Sequence, residues 1–415
     1  MKNKLHLLTL AVSITLAGAA RAQVQQIGDI FYIAMENHNW TQPGGPNNGT
    51  TQQIFGSIAA PYINSLVTPG DPNAVHTAYE TSYYQPGAGE HPSEPNYVWA
   101  EAGTNFNPTS TIGTATATNQ GTITGTKILS DADPALSSGN IYNSTFAANH
   151  LTGQLNAAGV TWKNYEEDYQ ISNSTTPTGG SPLVSKSGTS TTVTNPYYGT
   201  NQYNYAAKHN PMAFFADTAT QNINTLGQLS LDLTNNTVGR YNWITPNQFN
   251  DMHSALTGGF TDPRTGTHFT GDQAMIAQGD YFLSVVIPQI MASQAYQNNG
   301  AIVIWNDETE NGDTTSQTSM EIVISNLAKG NAYASSVVTN HSSDIKTVEE
   351  LLGLSQINNP IPSTETFATG GYATVQGSND LSDLFVAGAV PEPSTVVTLF
   401  GGLGMLAMRR RTRVA

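Results

Sequence analysis

The chain has 415 residues, enough for two or three domains of ordinary size or for one elaborated α/β domain. Its 15 Lys and Arg against 30 Asp and Glu give a net charge of −15, so it lacks the basic stripe that a phosphate backbone requires, which argues against nucleic acid as a partner. With no cysteine, disulfides, thiolate chemistry and thiolate zinc sites are excluded, and any metal must be held by oxygen or imidazole.

In chain order, Met1 to Ala22 has a basic start (Lys2, Lys4), an apolar run from Leu5 to Ala20, and Ala20-Arg21-Ala22 as a small-x-small cleavage site. That pattern predicts a secretory signal peptide. From Gln23 to about Pro360 the chain reads as one domain with long polar insertions. Asp29 to Met35 is a short apolar run bounded by polar residues and predicts a buried strand. Thr104 to Thr126 and Ser172 to Tyr203, rich in Thr, Ser, Gly and Asn, read as surface loops or excursions. Leu151 to Ala158 predicts a helix, and Arg240 to Thr245, alternating polar with apolar, a weaker strand. A helix is expected over Gly279 to Gln297, interrupted or bent near Pro288. Gly300 to Trp305 and Met320 to Ser325 predict two more buried strands, and Ile345 to Leu352 a helix. Residues 361–389 read as a linker or loose excursion before a C-terminal tail at 390–415. Strands interleaved with helices imply a layered α/β domain with a mixed or mainly parallel sheet. Ligands of such sheets sit at the carboxyl ends of strands.

Two polar pairs stand at that place. The first strand runs into Glu36-Asn37, and the run Gly300 to Trp305 into Asn306 and then Asp307-Glu308. These are hard oxygen ligands that would converge if the two strands were neighbours, and they suit Mg, Mn, Ca or another divalent ion. Histidines in turn-forming contexts add a second set: His91 in GEHPSEPNY, His209 in KHNPMAFF, His253 in FNDMH with Asp251 two before it, and His341 in TNHSS.

The tail, VPEPSTVVTLFGGLGMLAMRRRTRVA, carries a Pro-Glu-Pro motif, an apolar run from Thr395 to Met408 and a basic end at Arg409, Arg410, Arg411 and Arg413. It resembles the PEP-CTERM sorting tail. The resemblance implies export, transient membrane contact, and processing by an exosortase-type enzyme near Pro391 to Pro393, leaving the protein at the cell surface or in the extracellular matrix. Before processing it would be periplasmic or anchored in the inner membrane. The apolar run is shorter than the roughly 20 residues of a relaxed spanning helix. Without both ends, eight basic and 29 acidic residues remain, a net charge near −21. A site for an anionic substrate must then create positive potential locally.

Taken together, IAMENHNW, HPSEPNY, LTGQLNAAGVTWKNYEED, KHNP, ITPNQFNDMH, GDYFLSVVIPQI with GAIVIWNDE, and NHSSDIKTVEELLGL resemble, in this order, the blocks of the phosphoesterase family, over roughly Ile30 to Leu354. That family contains acid phosphatases and phospholipase C-like enzymes. The resemblance implies an α/β/α sandwich with a mixed, mainly parallel central sheet, similar to the alkaline phosphatase superfamily. It implies that Glu36, Asn37, Asp307 and Glu308 hold a divalent metal, and that His91, His209 and His253, with Asp251 in a matching block, serve phosphate binding or acid–base steps. For the nucleophile it points to the start of the helix before the AGVTWKNY block. There His150 stands with Thr152 two after it, and the earlier Ser144/Thr145 pair is a further option. The implied activity is metal-dependent hydrolysis of a phosphoric ester, with an acid phosphatase-type monoesterase first, a phospholipase C-like diesterase second, and a non-catalytic matrix or surface protein retaining the fold as the reading of another class. Histidines binding phosphate in their charged form would place the optimum on the acidic side of neutrality.

Overall fold

The computed structural model describes residues 26–41, 53–86, 92–104, 123–124, 131, 133–134, 141–142, 149–171, 181–310, 317–359 and 374–391. The signal segment 1–22, nearly all of the sorting tail, His91 and the Ser144/Thr145 pair lie outside these residues.

Eight strands form one sheet: β1 (Ile30–Met35), β2 (Thr77–Glu80), β3 (Trp162–Glu166), β4 (Ile223–Thr225), β5 (Tyr241–Thr245), β6 (Ala301–Asn306), β7 (Glu321–Ser325) and β8 (Tyr333–Ser335). Their order across the sheet is β8-β2-β7-β6-β1-β5-β3-β4. β1 pairs in parallel with β5 on one side and with β6 on the other, and β5, β3 and β4 continue in parallel. Only β7 runs antiparallel to its neighbours, so the sheet is mixed and mainly parallel.

Period-two alternation sorts the side chains to two faces. Phe31, Ile33 and Met35 of β1 join Ile244, Ile302 and Ile304 on one face, packed against α1 (Pro61–Leu66), α4 (Leu226–Asn235) and α5 (Asp272–Met291). Ile30, Tyr32 and Ala34 join Tyr241, Trp243, Val303 and Trp305 on the other, packed against α2 (Ser93–Ala102), α3 (Leu151–Ala158) and α7 (His341–Leu352). The fold is an α/β/α sandwich. Each fully buried Ile or Phe contributes about 1.5–3 kcal/mol, which explains why a strand with apolar residues on both sides lies in mid-sheet.

Three expectations need correction. The long helix runs through Pro288 to Met291, and the interruption falls at Ala292-Ser293, before the short α6 (Gln294–Gln297). Pro288 is exposed, so the backbone bond it removes lies on the watery side of α5. Part of the expected loop at 172–203 is a hairpin, Lys186–Thr189 paired with Gln202–Tyr205. The linker at 361–389 is docked in its described part: Leu381, Leu384, Phe385 and Ala389 are buried in the second core, and Ile27 N donates to Ala389 O at 3.3 Å. Among the described residues no helix is long and apolar enough to cross a membrane.

Candidate metal centre

Because β1 and β6 are parallel neighbours in register, with Met35 opposite Asn306, the residues that follow them emerge side by side at one sheet edge. Asp307 N donates to Met35 O at 3.2 Å, and Asn37 N donates to Asp307 Oδ1 at 3.1 Å. Asn37 turns the chain there with a φ of 48°, a left-handed conformation that asparagine tolerates better than most side chains. Its amide faces Glu36 Oε2 and Glu308 Oε1 at 3.0 Å each. Turned nitrogen-inward, the amide donates two hydrogen bonds; turned oxygen-inward, it brings three oxygens together, which only a cation makes favourable. The structure thus brings Glu36, Asn37, Asp307 and Glu308 to one place, though some 270 residues separate the two pairs.

A third side of the cluster comes from α2. Its first residue, Ser93, points its hydroxyl at Glu36 Oε2 (3.0 Å) and Glu308 Oε1 (3.4 Å), and Asn96 Nδ2 donates to Glu308 Oε2 at 3.1 Å. The positive end of this ten-residue helix therefore faces the carboxylates. The fourth side is His209, stacked on Tyr97 of α2 with ring centroids 4.8 Å apart and planes 7° from parallel. Its Nε2 lies 3.3 Å from Glu36 Oε1 and its Nδ1 3.5 Å from Asp251 Oδ2. Glu36, His209 and Asp251 are all buried and offer ligand atoms within 4.8 Å of one another. Asp251 reaches the site because Glu36 N donates to its carbonyl at 2.8 Å. Gly279 of α5 makes room for the turn: a Cβ there would stand 2.4 Å from Met252 Cγ and 3.0 Å from Met35 Cε. His253 lies beside them, partly buried, with its ring centroid 5.9 Å from that of His209.

The electrostatics are lopsided. Burial raises Glu36 and Asp251 well above the usual carboxylate range, with Asp307 and other acids pushing the same way, and burial raises Asp307 to about 6. Burial also depresses His209 well below its ordinary value and brings His253 down to about 4, with Lys208 adding repulsion in both cases. Both shifts favour the neutral imidazole in the free site. Lys208 itself is paired with Asp131. Glu36 Oε1, Asp307 Oδ2, Asp251 Oδ2 and both ring nitrogens of His209 have no hydrogen-bond partner although they are buried. Unpaired buried charge costs several kcal/mol per group, so such a set is stable only if protons or a cation neutralise it. Converging carboxylates, an amide and a hydroxyl fit a hard divalent ion, and the imidazole widens the choice to Mn or Zn.

The expected nucleophile lies elsewhere. His150 caps α3, its Nδ1 2.7 Å from Glu101 Oε1 and its Nε2 3.0 Å from Asp217 Oδ1. Thr152 donates through its backbone N (2.7 Å) and its hydroxyl to the same Glu101 oxygen. Glu101 is eight residues along α2 from Ser93, about 12 Å of helix rise. Thr152 and His150 thus belong to the far end of α2, away from the acid cluster. The residues that sequence reasoning missed are Ser93, Asn96 and Tyr97. They sit in HPSEPNY, a block read for its histidine, although Ser-x-Pro is itself a helix-start signal.

Solved structures similar to this chain include a protein in the alkaline phosphatase superfamily from Vibrio parahaemolyticus, with 10% identity over 81% of this chain and 69% of that one and a TM-score of 0.44. The lipoteichoic acid synthase LtaP from Listeria monocytogenes aligns at 10% identity over 86% and 87%, TM-score 0.42. The phosphonate monoester hydrolase SpPMH from Silicibacter pomeroyi aligns at 12% over 89% and 78%, TM-score 0.38. No curated protein sequence matches. The model of the Phosphoesterase family, in contrast, matches residues 36–355, from the first acid of the cluster to just beyond α7. Over that span, most of its length, the chain belongs to the Phosphoesterase family, a family of ester hydrolases.

Proposed function

We propose that this protein is an exported, metal-dependent phosphoric ester hydrolase of the acid phosphatase type, with Ser93 as the attacking group. The observation that carries the reading is the Ser93 hydroxyl, held at the positive end of α2 against the carboxylates of Glu36 and Glu308. Glu36, Asn37, Asp307 and Glu308 would hold the cation. When bound, it would supply Lewis-acid polarisation of a phosphoryl oxygen and favour the ionised hydroxyl.

The chain's own residues do the rest. Ser93 Oγ forms a bond to phosphorus as the bond to the leaving alkoxide breaks, in line with the need for placement over covalent ingenuity in phosphoryl transfer. The hydroxyl proton passes to a carboxylate oxygen within reach, Glu36 Oε2 at 3.0 Å. His253, only partly buried, is the described imidazole best placed to exchange a proton with the leaving group or with the water that then releases phosphate from Ser93. The α2 dipole and the Asn96 amide favour negative charge at this end.

Export rests on the signal-like start, and surface or matrix localisation on the PEP-CTERM-like tail with its exosortase-type processing enzyme. A hydroxyl in the cluster favours the catalytic reading over the non-catalytic alternative. A phospholipase C-like diesterase differs only in the ester it accepts. The test is hydrolysis of p-nitrophenyl phosphate and of bis(p-nitrophenyl) phosphate by the purified protein, before and after chelation. Monoester turnover that chelator removes and Mn²⁺ restores supports the reading. Diester turnover alone favours the diesterase, and no turnover of either ester with metal supplied counts against both.

A further inference from the structure

Behind the acid cluster runs a buried column that touches none of its vacant oxygens. His341, the first residue of α7, donates from Nε2 to the main-chain carbonyl of Asp307 at 2.6 Å. Because a carbonyl can only accept, that nitrogen carries the hydrogen. The Tyr83 hydroxyl lies between His341 Nδ1 at 2.8 Å and Asp344 Oδ2 at 2.6 Å, with one hydrogen to share between the two acceptors. Asp344 Oδ1 accepts in turn from the Tyr32 hydroxyl at 3.1 Å. Tyr32 stands on β1, the strand that delivers Glu36, while Asp307 directly follows β6. The column therefore clamps both strands of the cluster to one helix. Tyr83 and His341 are completely buried, and Trp305 packs 4.7 Å from the His341 ring, so little room remains for the ring to turn.

Asp307 is where this matters. Its ladder bond to Met35 fixes its nitrogen, Asn37 fixes Oδ1, and His341 fixes its carbonyl, which leaves Oδ2 as its one buried atom without a partner. Three anchors on one residue set the direction of the fourth atom. We propose that His341, held by Tyr83 and Asp344, is a positioning residue that orients the Asp307 carboxylate for cation binding. This inference rests on the metal reading above. Outer partners of this kind change metal affinity by about ten- to a hundredfold in known sites.

The test is titration of Mn²⁺ into the metal-free full chain and into its His341→Leu, His341→Gln and Tyr83→Phe variants, with a thermal midpoint for each. His341→Leu removes the donor and should weaken Mn²⁺ binding about ten- to a hundredfold. His341→Gln keeps an amide N–H near the position of Nε2 and should return most of that loss. Tyr83→Phe, which deletes one oxygen and leaves the packing, should give an intermediate loss and carries the test if the leucine variant does not fold. Unchanged Mn²⁺ affinity in folded His341→Leu or Tyr83→Phe, with only the thermal midpoint lowered, makes the column purely structural and overturns the inference alone. Absence of Mn²⁺ binding by the unsubstituted chain overturns the metal reading and this inference with it.

Discussion

The two ends of α2 carry contacts of the same kind with opposite surroundings. At the first residue, the Ser93 hydroxyl meets Glu36 and Glu308; near the last turn, the Thr152 hydroxyl meets Glu101. At the Glu101 end one imidazole bridges two carboxylates. Burial works against a charged His150, but the hydrogen bonds it donates to Asp217 and Glu101 outweigh it and raise its pKa, and Glu101 Oε1 collects three donors. At the Ser93 end four acids gather around neutral imidazoles, and several of their oxygens have no partner. A hydroxyl on a carboxylate is therefore no guide to chemistry by itself. What separates the two is the imidazole beside the acids: the His150 pKa is raised by its carboxylate partners, whereas that of His209 is pushed well below its ordinary value by burial.

Four substitutions would break or sharpen that contrast. The largest effect is expected from Ser93→Ala, which should lower kcat on p-nitrophenyl phosphate by about 10³-fold or more while the protein remains folded by circular dichroism. Asp307→Asn should cost about 10²–10³ in kcat/KM and lower the bound metal measured by atomic emission in the same preparation. Full turnover in that variant would remove Asp307 from the centre. Thr152→Val should leave turnover within a few-fold and cost about 1–3 kcal/mol of stability in urea unfolding, because it strips one donor from a buried carboxylate. A collapse of kcat on Thr152→Val with stability intact would reverse the roles of the two ends.

The smallest effect concerns pH. Burial raises Glu349, on α7 and away from the cluster, to about 8, against about 4.3 for an unfolded glutamate. Since the folded value is the higher one, the stability contributed by the protonated form is complete below the unfolded pKa and is lost as pH rises through about 8. The thermal midpoint should fall between pH 5 and pH 8, and Glu349→Gln should flatten that fall, gaining a few degrees at the alkaline end. A midpoint equally steep in the variant would assign the slope to other acids.

Much of the scaffold was legible because strong signals coincide. β1 and β6 are short apolar runs that stop at charged residues, and parallel pairing then forces Glu36 and Asp307 together. β5 read as the weaker strand because Asn242 interrupts it. The structure buries that amide by closing it on Gly239 N (2.8 Å), Gly239 O (2.7 Å) and Ile30 O (3.1 Å), partners no periodicity reveals. α2 was missed because its buried face includes Glu94, Asn96 and Glu101, so it carries no amphipathic stripe. Ser93 was passed over for the same reason: seeing that it, and not Thr152, stands beside Glu36 and Glu308 requires knowing which end of α2 faces the acid cluster, and that is decided by contacts distant in sequence. The docked residues 374–389 were read as part of a linker or loose excursion since their few apolar side chains, Leu381, Leu384, Phe385 and Ala389, find their core only after the sheet exists.

The claim on which the account depends is that Ser93, and not Thr152, meets phosphorus. Acid quenching of the metal-loaded enzyme during steady turnover of p-nitrophenyl phosphate, followed by mass spectrometry of its peptides, tests it most directly. The account predicts a phosphoryl group on the peptide containing Ser93 and none in the Ser93→Ala variant. A phosphoryl group on the peptide containing His150 and Thr152, or turnover in the Ser93→Ala variant at the rate of the unsubstituted enzyme, would contradict it.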